Sequence, residues 1–348
     1  MCPPRIPVVK RRLFPPLCLI AATLLAGIAS AAPAGPVAAP GFSLELLRRP
    51  DAIFSGLGRD GDAVVVGNLS DGRLYRLSAA GDLAAFGPAL PHGPDVIGDP
   101  TGPYRAERSG DHYLVAQGWT PSDAEEGPYD HALLKIDAAG SVVVLSGDFW
   151  NPFDFVVTGD TLIVVDAARN SIERLGPGGA RTTLFVFPRL AYRESALADL
   201  SPTEFSGGDR VDIDAVPTGA ALAGDRLYVA LFTGFPFIAG AGEIVSLPLS
   251  GEPPAPRREA SALNAPVDVA LAADGGLLVL EHGTYDQGRG FVPESGRLIA
   301  IDRATGKRML LLDRLTRPAS LLVRPDGSII VACLDGTLAF LTSQREGN

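Results

Sequence analysis

The chain has 348 residues, 46% of them hydrophobic and 20% charged, with 40 glycines, 30 prolines and a formal net charge of −10. An acidic balance argues against nucleic acid and anionic lipid as partners, since both need a basic face. High apolar content with dense turn residues argues for an ordered all-β fold and against disorder.

Lys10-Arg11-Arg12 precedes an apolar segment over 17–29 and the small-residue site Ala29-Ser30-Ala31. This order reads as a secretory signal peptide, residues 1–31, cut near Ala31, and predicts a secreted or periplasmic protein. Arg11-Arg12-Leu13-Phe14 leaves general secretory and twin-arginine export both open. The apolar segment is too short, and too flanked by Pro15 and Pro16, to read as a stable membrane span. Cleavage removes four cations and no acid, taking the formal charge from −10 to −14. Of three cysteines only Cys333 would remain, so no internal disulfide is expected, and Cys333 reads as a small buried hydrophobe. Residues 32–41 read as a flexible leader with no means of packing. Residues 42–47 alternate apolar and polar like a half-buried strand.

From Phe54 onward the chain repeats. The clearest copy is NPFDFVVTGDTLIVVDAARNSIERL, residues 151–175: apolar runs over 153–158 and 162–165 flank a Gly159-Asp160 turn, and a third strand follows over 172–175. Strands apolar on both faces are buried on both faces, so such a unit needs neighbours like itself. Taking Pro152 as position zero, the same frame begins at Phe54, Pro103, Pro217, Pro266 and Pro318, with spacings of 49, 49, 65, 49 and 52 residues. A period near fifty residues with several short strands per unit predicts a six-bladed β-propeller, a single all-β domain over 42–348. The last unit lacks a fourth strand. Residues 42–47 are expected to supply it and close the ring, which removes two exposed sheet edges.

Connections from the first to the second strand are tight, as at Asp60-Gly61 and Gly159-Asp160. The long segments, 88–102, 117–130, 188–216, 232–242 and 282–296, fall between second and third strands or between blades. Those two kinds of connection share one rim of the disc, so that rim is the one expected to carry function. It also receives the start of each inner strand. The residues two past each anchor (Gly56, Arg105, Asp154, Gly219, Asp268, Ser320) are expected to ring the channel mouth. The second-strand ends Asn68, Gln117, Asp166, Leu231, Glu281 and Cys333 should lie near them. Candidate ligand-binding residues are therefore Arg105, Asn151, Asp154, Asp166, Asp214, Asp268 and Glu281.

The segments NPFDFVV (151–157), VDAARNSIERL (165–175), DAVPTGAAL (214–222), YVALFTGFPFIAGAGEI (228–244) and PVDVALAADGGLLVLE (266–281) resemble the ScyD/ScyE family of exported bacterial proteins over roughly 42–340, most specifically in TGFPF. The resemblance implies a secreted NHL-like propeller without a settled activity. More distantly the layout is similar to the senescence-marker/gluconolactonase propellers, which hold a divalent metal in the channel mouth. That likeness implies Asn151 and Asp268 at ligand positions, while the first-blade glutamate of that family has no counterpart here.

Two unpaired carboxylates about 4 Å apart repel by roughly 4 kcal/mol at an effective dielectric near 20, so a cation, a shared proton or an arginine must offset them. One reading is a Ca²⁺ or Mg²⁺ held by Asn151, Asp154 and Asp268. The other is that Arg105 pairs with Asp154 and water satisfies the rest. Function divides in the same way, between a protein that binds a small molecule or partner and a metal-dependent lactone or ester hydrolase. A monomer is expected in either case. Glu281 and His282 are the acid–base candidates. His112 and His131, at strand starts, are expected to be exposed, and His92 sits in a loop. Trp119, Trp150, Phe235, Phe237 and Tyr285 either stack on an apolar or indolic ligand or pack within their own loops. Gly56-Leu57-Gly58-Arg59-Asp60-Gly61 spells a dinucleotide fingerprint but precedes a strand, so it is set aside.

Overall fold

The computed structural model describes residues 34–95, 98–118, 127, 129–192, 211–251 and 256–344; the segment 1–31 expected to be a signal peptide and Trp119 lie outside them. Six four-stranded antiparallel meanders stand around a common axis, five of them built from inner to outer strand in chain order. Blade 1 runs Phe54–Asp60, Ala63–Asn68, Arg73–Leu77 and Leu83–Phe86. Blade 2 runs Pro103–Ser109, His112–Gln117, Ala132–Asp137 and Val142–Ser146. Blade 3 is Pro152–Thr158, Thr161–Asp166, Ser171–Leu175 and Arg181–Val186. Blade 4 is Pro217–Ala223, Arg226–Leu231, Gly242–Pro248 and Arg257–Leu263. Blade 5 is Pro266–Leu271, Leu277–Glu281, Gly296–Ile301 and Arg308–Leu315, and blade 6 is Pro318–Val323, Ile329–Cys333 and Thr337–Ser343. Phe42–Arg48 completes blade 6 as its outer strand, in register from Phe42 opposite Ser343 to Arg48 opposite Thr337. The expected closure is therefore present.

The core lies between blades rather than within them. Each of the six interfaces holds one cluster of buried apolar side chains. Alternation along a strand assigns each residue to a side: Val64 and Val66 pack against blade 6, whereas Val65 packs against blade 2. This is why the second strands read as apolar on both faces. Turns between first and second strands use glycine where the backbone must be left-handed, as at Gly159 (φ 62°).

The leader departs from expectation. Val37 and Ala38 pair with Asp313 and Leu312 on the outer edge of blade 5, and the Ala39 N–H donates to the Leu311 carbonyl at 2.9 Å. The eight-residue outer strand Arg308–Leu315 presents an unpaired edge, and backbone groups alone can satisfy it. A two-residue strand needs no hydrophobic pattern, so composition did not betray it.

One irregularity recurs in every blade and positions the site. At the start of each inner strand the register slips: Pro152 pairs with Asp166 and Asp154 with Val165, leaving Phe153 without an opposite residue. The same bulge leaves over Tyr104, Val267 and Ala319, and in blades 1 and 4 two residues face one. Such a bulge bends a strand and re-aims one side chain.

Candidate functional site

The re-aimed residues converge. Ser55, Tyr104, Phe153, Thr218, Val267 and Ala319, each one past its blade's anchor, line a single cavity of about 190 Å³ at the loop-bearing mouth. Above them a backbone pair repeats six times. The first residue after each second strand donates its N–H to the residue just before the anchor, as in Ala167 to Asn151 (2.9 Å), Phe232 to Val216 (3.0 Å) and Leu334 to Arg317 (3.0 Å). Those three pairs, with Leu69 and His282, form the upper wall. Val216 (φ 47°) and Arg317 (φ 49°) hold left-handed conformations, which are strained for side chains such as valine and concentrate at ligand sites.

The wall is mainly apolar and aromatic. Phe232, Phe237 and Phe291 come from the long loops of blades 4 and 5, and Tyr104 stacks on Phe153 with centroids 5.0 Å apart. Gly118 permits that stack, because a Cβ there would lie 1.9 Å from the Tyr104 ring. Burial, with Asp95 and Asp99 nearby, pushes the Tyr104 phenol well up, and the Asn151 side chain only partly opposes this. Tyr104 is therefore a neutral hydroxyl.

His282 is 5% exposed. Burial and then the Arg317 charge pull its pKa down to about 3, so its imidazole is neutral. With Nδ1 2.8 Å from the Pro318 carbonyl, the ring proton sits on Nδ1, and Nε2 accepts from Arg317 Nε at 3.4 Å. Arg317 also binds Asp99 at 2.6 Å, tying the connection between blades 1 and 2 to blade 6. A base whose lone pair already faces a guanidinium, and whose pKa is near 3, is a poor proton acceptor at neutral pH.

Asp154, Asp268 and Arg105 do not line this cavity. They form a separate buried group on the inner strands. Asp154 accepts the N–H groups of Phe155 (2.7 Å) and Ala220 (2.8 Å), and its Oδ1 is 3.6 Å from Arg105 Nε. Asp268 accepts the N–H groups of Val269 (2.8 Å) and Leu321 (2.7 Å) and the Ser320 hydroxyl (3.0 Å). Leu57 N–H in turn donates to Ser320 Oγ at 3.2 Å. In five of the blades the residue three past the anchor thus finds a partner for its N–H on Asp154, Asp268 or Ser320. Gly219 leaves room: a Cβ there would come 2.3 Å from Asp268 Oδ1.

Arg105 is the cation of the group. Burial works against its charge, but Asp154, Glu107 and Asp268 hold it firmly protonated. It donates to Glu107 at 2.7 Å and to the Leu57 carbonyl. One guanidinium among three carboxylates leaves a surplus of negative charge. Burial followed by the Asp154 charge raises Asp268 to about 7, and burial raises Asp154 as well. These residues do not fit an open cage for a hard cation, because their oxygens already serve backbone donors and the counter-charge is an arginine. Among the described residues no group of three or more His, Cys, Asp or Glu could hold a metal.

The other expected site residues serve the loops. Asp166 accepts the N–H groups of Trp150 (2.9 Å) and Asn151 (2.8 Å) and pairs with Arg169. Glu281 accepts the Asn264 N–H at 2.7 Å and binds Arg297. Asn68 does the same for Ile53 N–H at 2.8 Å. The second-strand ends are thus clamps on the incoming chain, and neither Asp166 nor Glu281 faces the cavity. Asp214 forms a half-exposed pair with Arg189 at 2.8 Å, away from the cavity. His112 and His131 are half-buried, bonded to Asp111 and to the Trp150 carbonyl. Trp150 is 57% exposed beneath the Arg169 guanidinium, while Phe235, Phe237 and Tyr285 pack on one another. Of the expected residues, Gly56, Asn151, His282 and Phe237 reach the cavity. Sequence reasoning missed Tyr104, Phe153, Asp99, Phe291 and Arg317. The first two were one residue from the frame used.

No family model and no curated protein sequence matches the chain. Solved structures do match its fold. A gluconolactonase from Xanthomonas campestris superposes with a TM-score of 0.57 at 14% identity, covering 86% of this chain and 89% of that one. The calcium-binding protein regucalcin from Agrobacterium tumefaciens gives 0.54 at 14% identity, covering 86% and 93%. A streptogramin B lyase gives 0.53 at 14% identity, covering 86% and 97%. At such identities the likeness establishes the six-bladed propeller alone.

Proposed function

We propose that this chain is an exported protein that binds an apolar, aromatic small molecule in the cavity at the mouth of the propeller channel, acting as a monomer. The observation that carries this reading is the cavity itself, which gathers the bulge residue of all six blades beneath three phenylalanines. Pockets of this kind, apolar with a few convergent polar groups, are where proteins take small ligands, the mouths of β-barrels among them. Membership of the ScyD/ScyE family is consistent with it and rests on the TGFPF loop, which supplies Phe237 to the wall. Export rests on the segment 1–31.

The rival is hydrolysis of a lactone or ester with a divalent metal, favoured by the shared fold with gluconolactonase and regucalcin. It would need Asp154 and Asp268 to release their backbone partners and His282 to act as a base. Both requirements oppose the geometry described above. Native mass spectrometry of the purified protein, with a lactone and aryl-ester panel assayed in Ca²⁺ or Mg²⁺, separates the two. Binding predicts a small aromatic adduct and no turnover. Metal-dependent turnover lost in Asp154→Asn and Asp268→Asn would overturn it.

A further inference from the structure

Resting on the reading of the cavity as an aromatic-ligand site, we propose that its ligand is a neutral, planar aromatic molecule bearing a hydroxyl or N–H donor at one end, and that Asn151 reads that donor. Asn151 precedes the anchor of blade 3 and lies in the cavity wall. Its backbone is held on both sides: its N–H donates to Asp166 at 2.8 Å, and its carbonyl accepts from Ala167 at 2.9 Å. Its side chain lies beside the Tyr104 phenol and partly offsets the rise that burial causes there. That leaves the Asn151 Oδ1 atom, which is buried and has no hydrogen-bond partner. A buried amide oxygen without a donor is rare in folded proteins, and a missing ligand group is one of its ordinary explanations.

Three of the wall's own side-chain donors are committed elsewhere. The Ser55 hydroxyl serves the Pro103 carbonyl at 2.8 Å, and the Thr218 hydroxyl lies 3.4 and 3.3 Å from the carbonyls of Ala230 and Pro266. Arg317 is held by Asp99 and His282. Among these side chains the neutral Tyr104 hydroxyl alone is left to compete for Oδ1, and the donor of an entering ligand supplies the bond. Charge follows from the same residues. An anionic ligand group placed at Asn151 would face an acceptor, with Asp95 and Asp99 close enough to raise the neighbouring phenol. A neutral hydroxyl or N–H meets no such penalty. Planarity follows from the Tyr104–Phe153 stack on blades 2 and 3 and from Phe232, Phe237 and Phe291 on blades 4 and 5. A site built around an unsatisfied buried acceptor discriminates strongly against the analogue that lacks the donor.

The test compares 2-naphthol with 2-methoxynaphthalene by titration calorimetry at pH 7 on the mature protein. The two probes share a ring system and differ in the donor. Wild type is expected to bind the naphthol at least about tenfold more tightly. Asn151→Ala should bring the ratio close to one, chiefly by weakening the naphthol. Tyr104→Phe, which keeps the ring and removes the group that orients Asn151, should lower the ratio without changing affinity for the ether. Equal binding of the two probes by wild type would overturn the role of Asn151 while leaving the aromatic cavity standing. Failure of both probes to bind overturns the cavity reading as well. The wild-type comparison stands even where a variant fails to fold.

Discussion

The carboxylate of Asp268, on blade 5, accepts the backbone N–H of Leu321, on blade 6, at 2.7 Å. With the matching bond from Ala220 on blade 4 to Asp154 on blade 3, it stitches neighbouring inner strands together around the axis. These carboxylates hold the ring closed where the inner edges would otherwise present unpaired donors. Asp268→Ala strands Val269 and Leu321 N–H and the Ser320 hydroxyl, at about 1–3 kcal/mol for an unsatisfied group. A loss of roughly 3 kcal/mol in urea unfolding is the expected outcome. A loss below about 0.5 kcal/mol would mean that the bonds are incidental.

The same carboxylate makes stability depend on pH. Its folded pKa, near 7, lies above the ordinary value of 3.8, so the folded state holds a proton that the unfolded state releases between those limits. Its contribution is fully present below about pH 3.8 and is lost as pH rises towards and through 7, with a slope of at most about 1.4 kcal/mol per unit. Urea unfolding from pH 5 to 8 should show falling stability. Asp268→Asn should flatten that fall. A wild-type curve that rises over this range would contradict the raised pKa.

The bulk of the fold was legible because a blade is a local pattern. Strands such as Val64–Val66 carry apolar residues to both sides, and the turn and anchor residues mark the period. The phase of the site was not legible. A repeat of period two cannot reveal that Phe153 and Tyr104 are surplus residues of a bulge, so the frame placed the ring at Asp154 and Arg105. Asp99 and Arg317 meet only through closure of the ring, 218 residues apart, and no spacing rule anticipates that. Asp166 and Glu281 looked like ligands because a buried carboxylate that clamps a loop has the same sequence signature as one that binds.

Arg105 supplies the positive charge that a metal would otherwise provide. Adding calcium, magnesium or EDTA to the wild type is therefore expected to leave the melting temperature unchanged. Arg105→Met should cost about 3–5 kcal/mol, since it leaves Asp154 and Glu107 without their cation. A calcium-dependent rise of several degrees in the wild type would reinstate a metal at this position.

Gly219 is required by the space Asp268 occupies. Gly219→Ala places a Cβ 2.6 Å from the Asp268 Cα, a backbone contact that cannot yield as a flexible side chain would. Overpacking of this kind typically costs about 1–3 kcal/mol. Chemical denaturation measures it directly. An unchanged midpoint would show that the inner strands slide apart more easily than their hydrogen bonds imply.

The most direct measurement is a calorimetric titration of 2-naphthol into three proteins: wild type, Phe291→Asp, and the double variant Asp154→Asn/Asp268→Asn. Binding should be abolished by a charge in the aromatic wall and retained, within a few-fold, when the axial carboxylates are neutralised in a protein that still folds. Binding that survives Phe291→Asp and disappears with Asp154 and Asp268 would place the ligand on the axis and contradict the cavity.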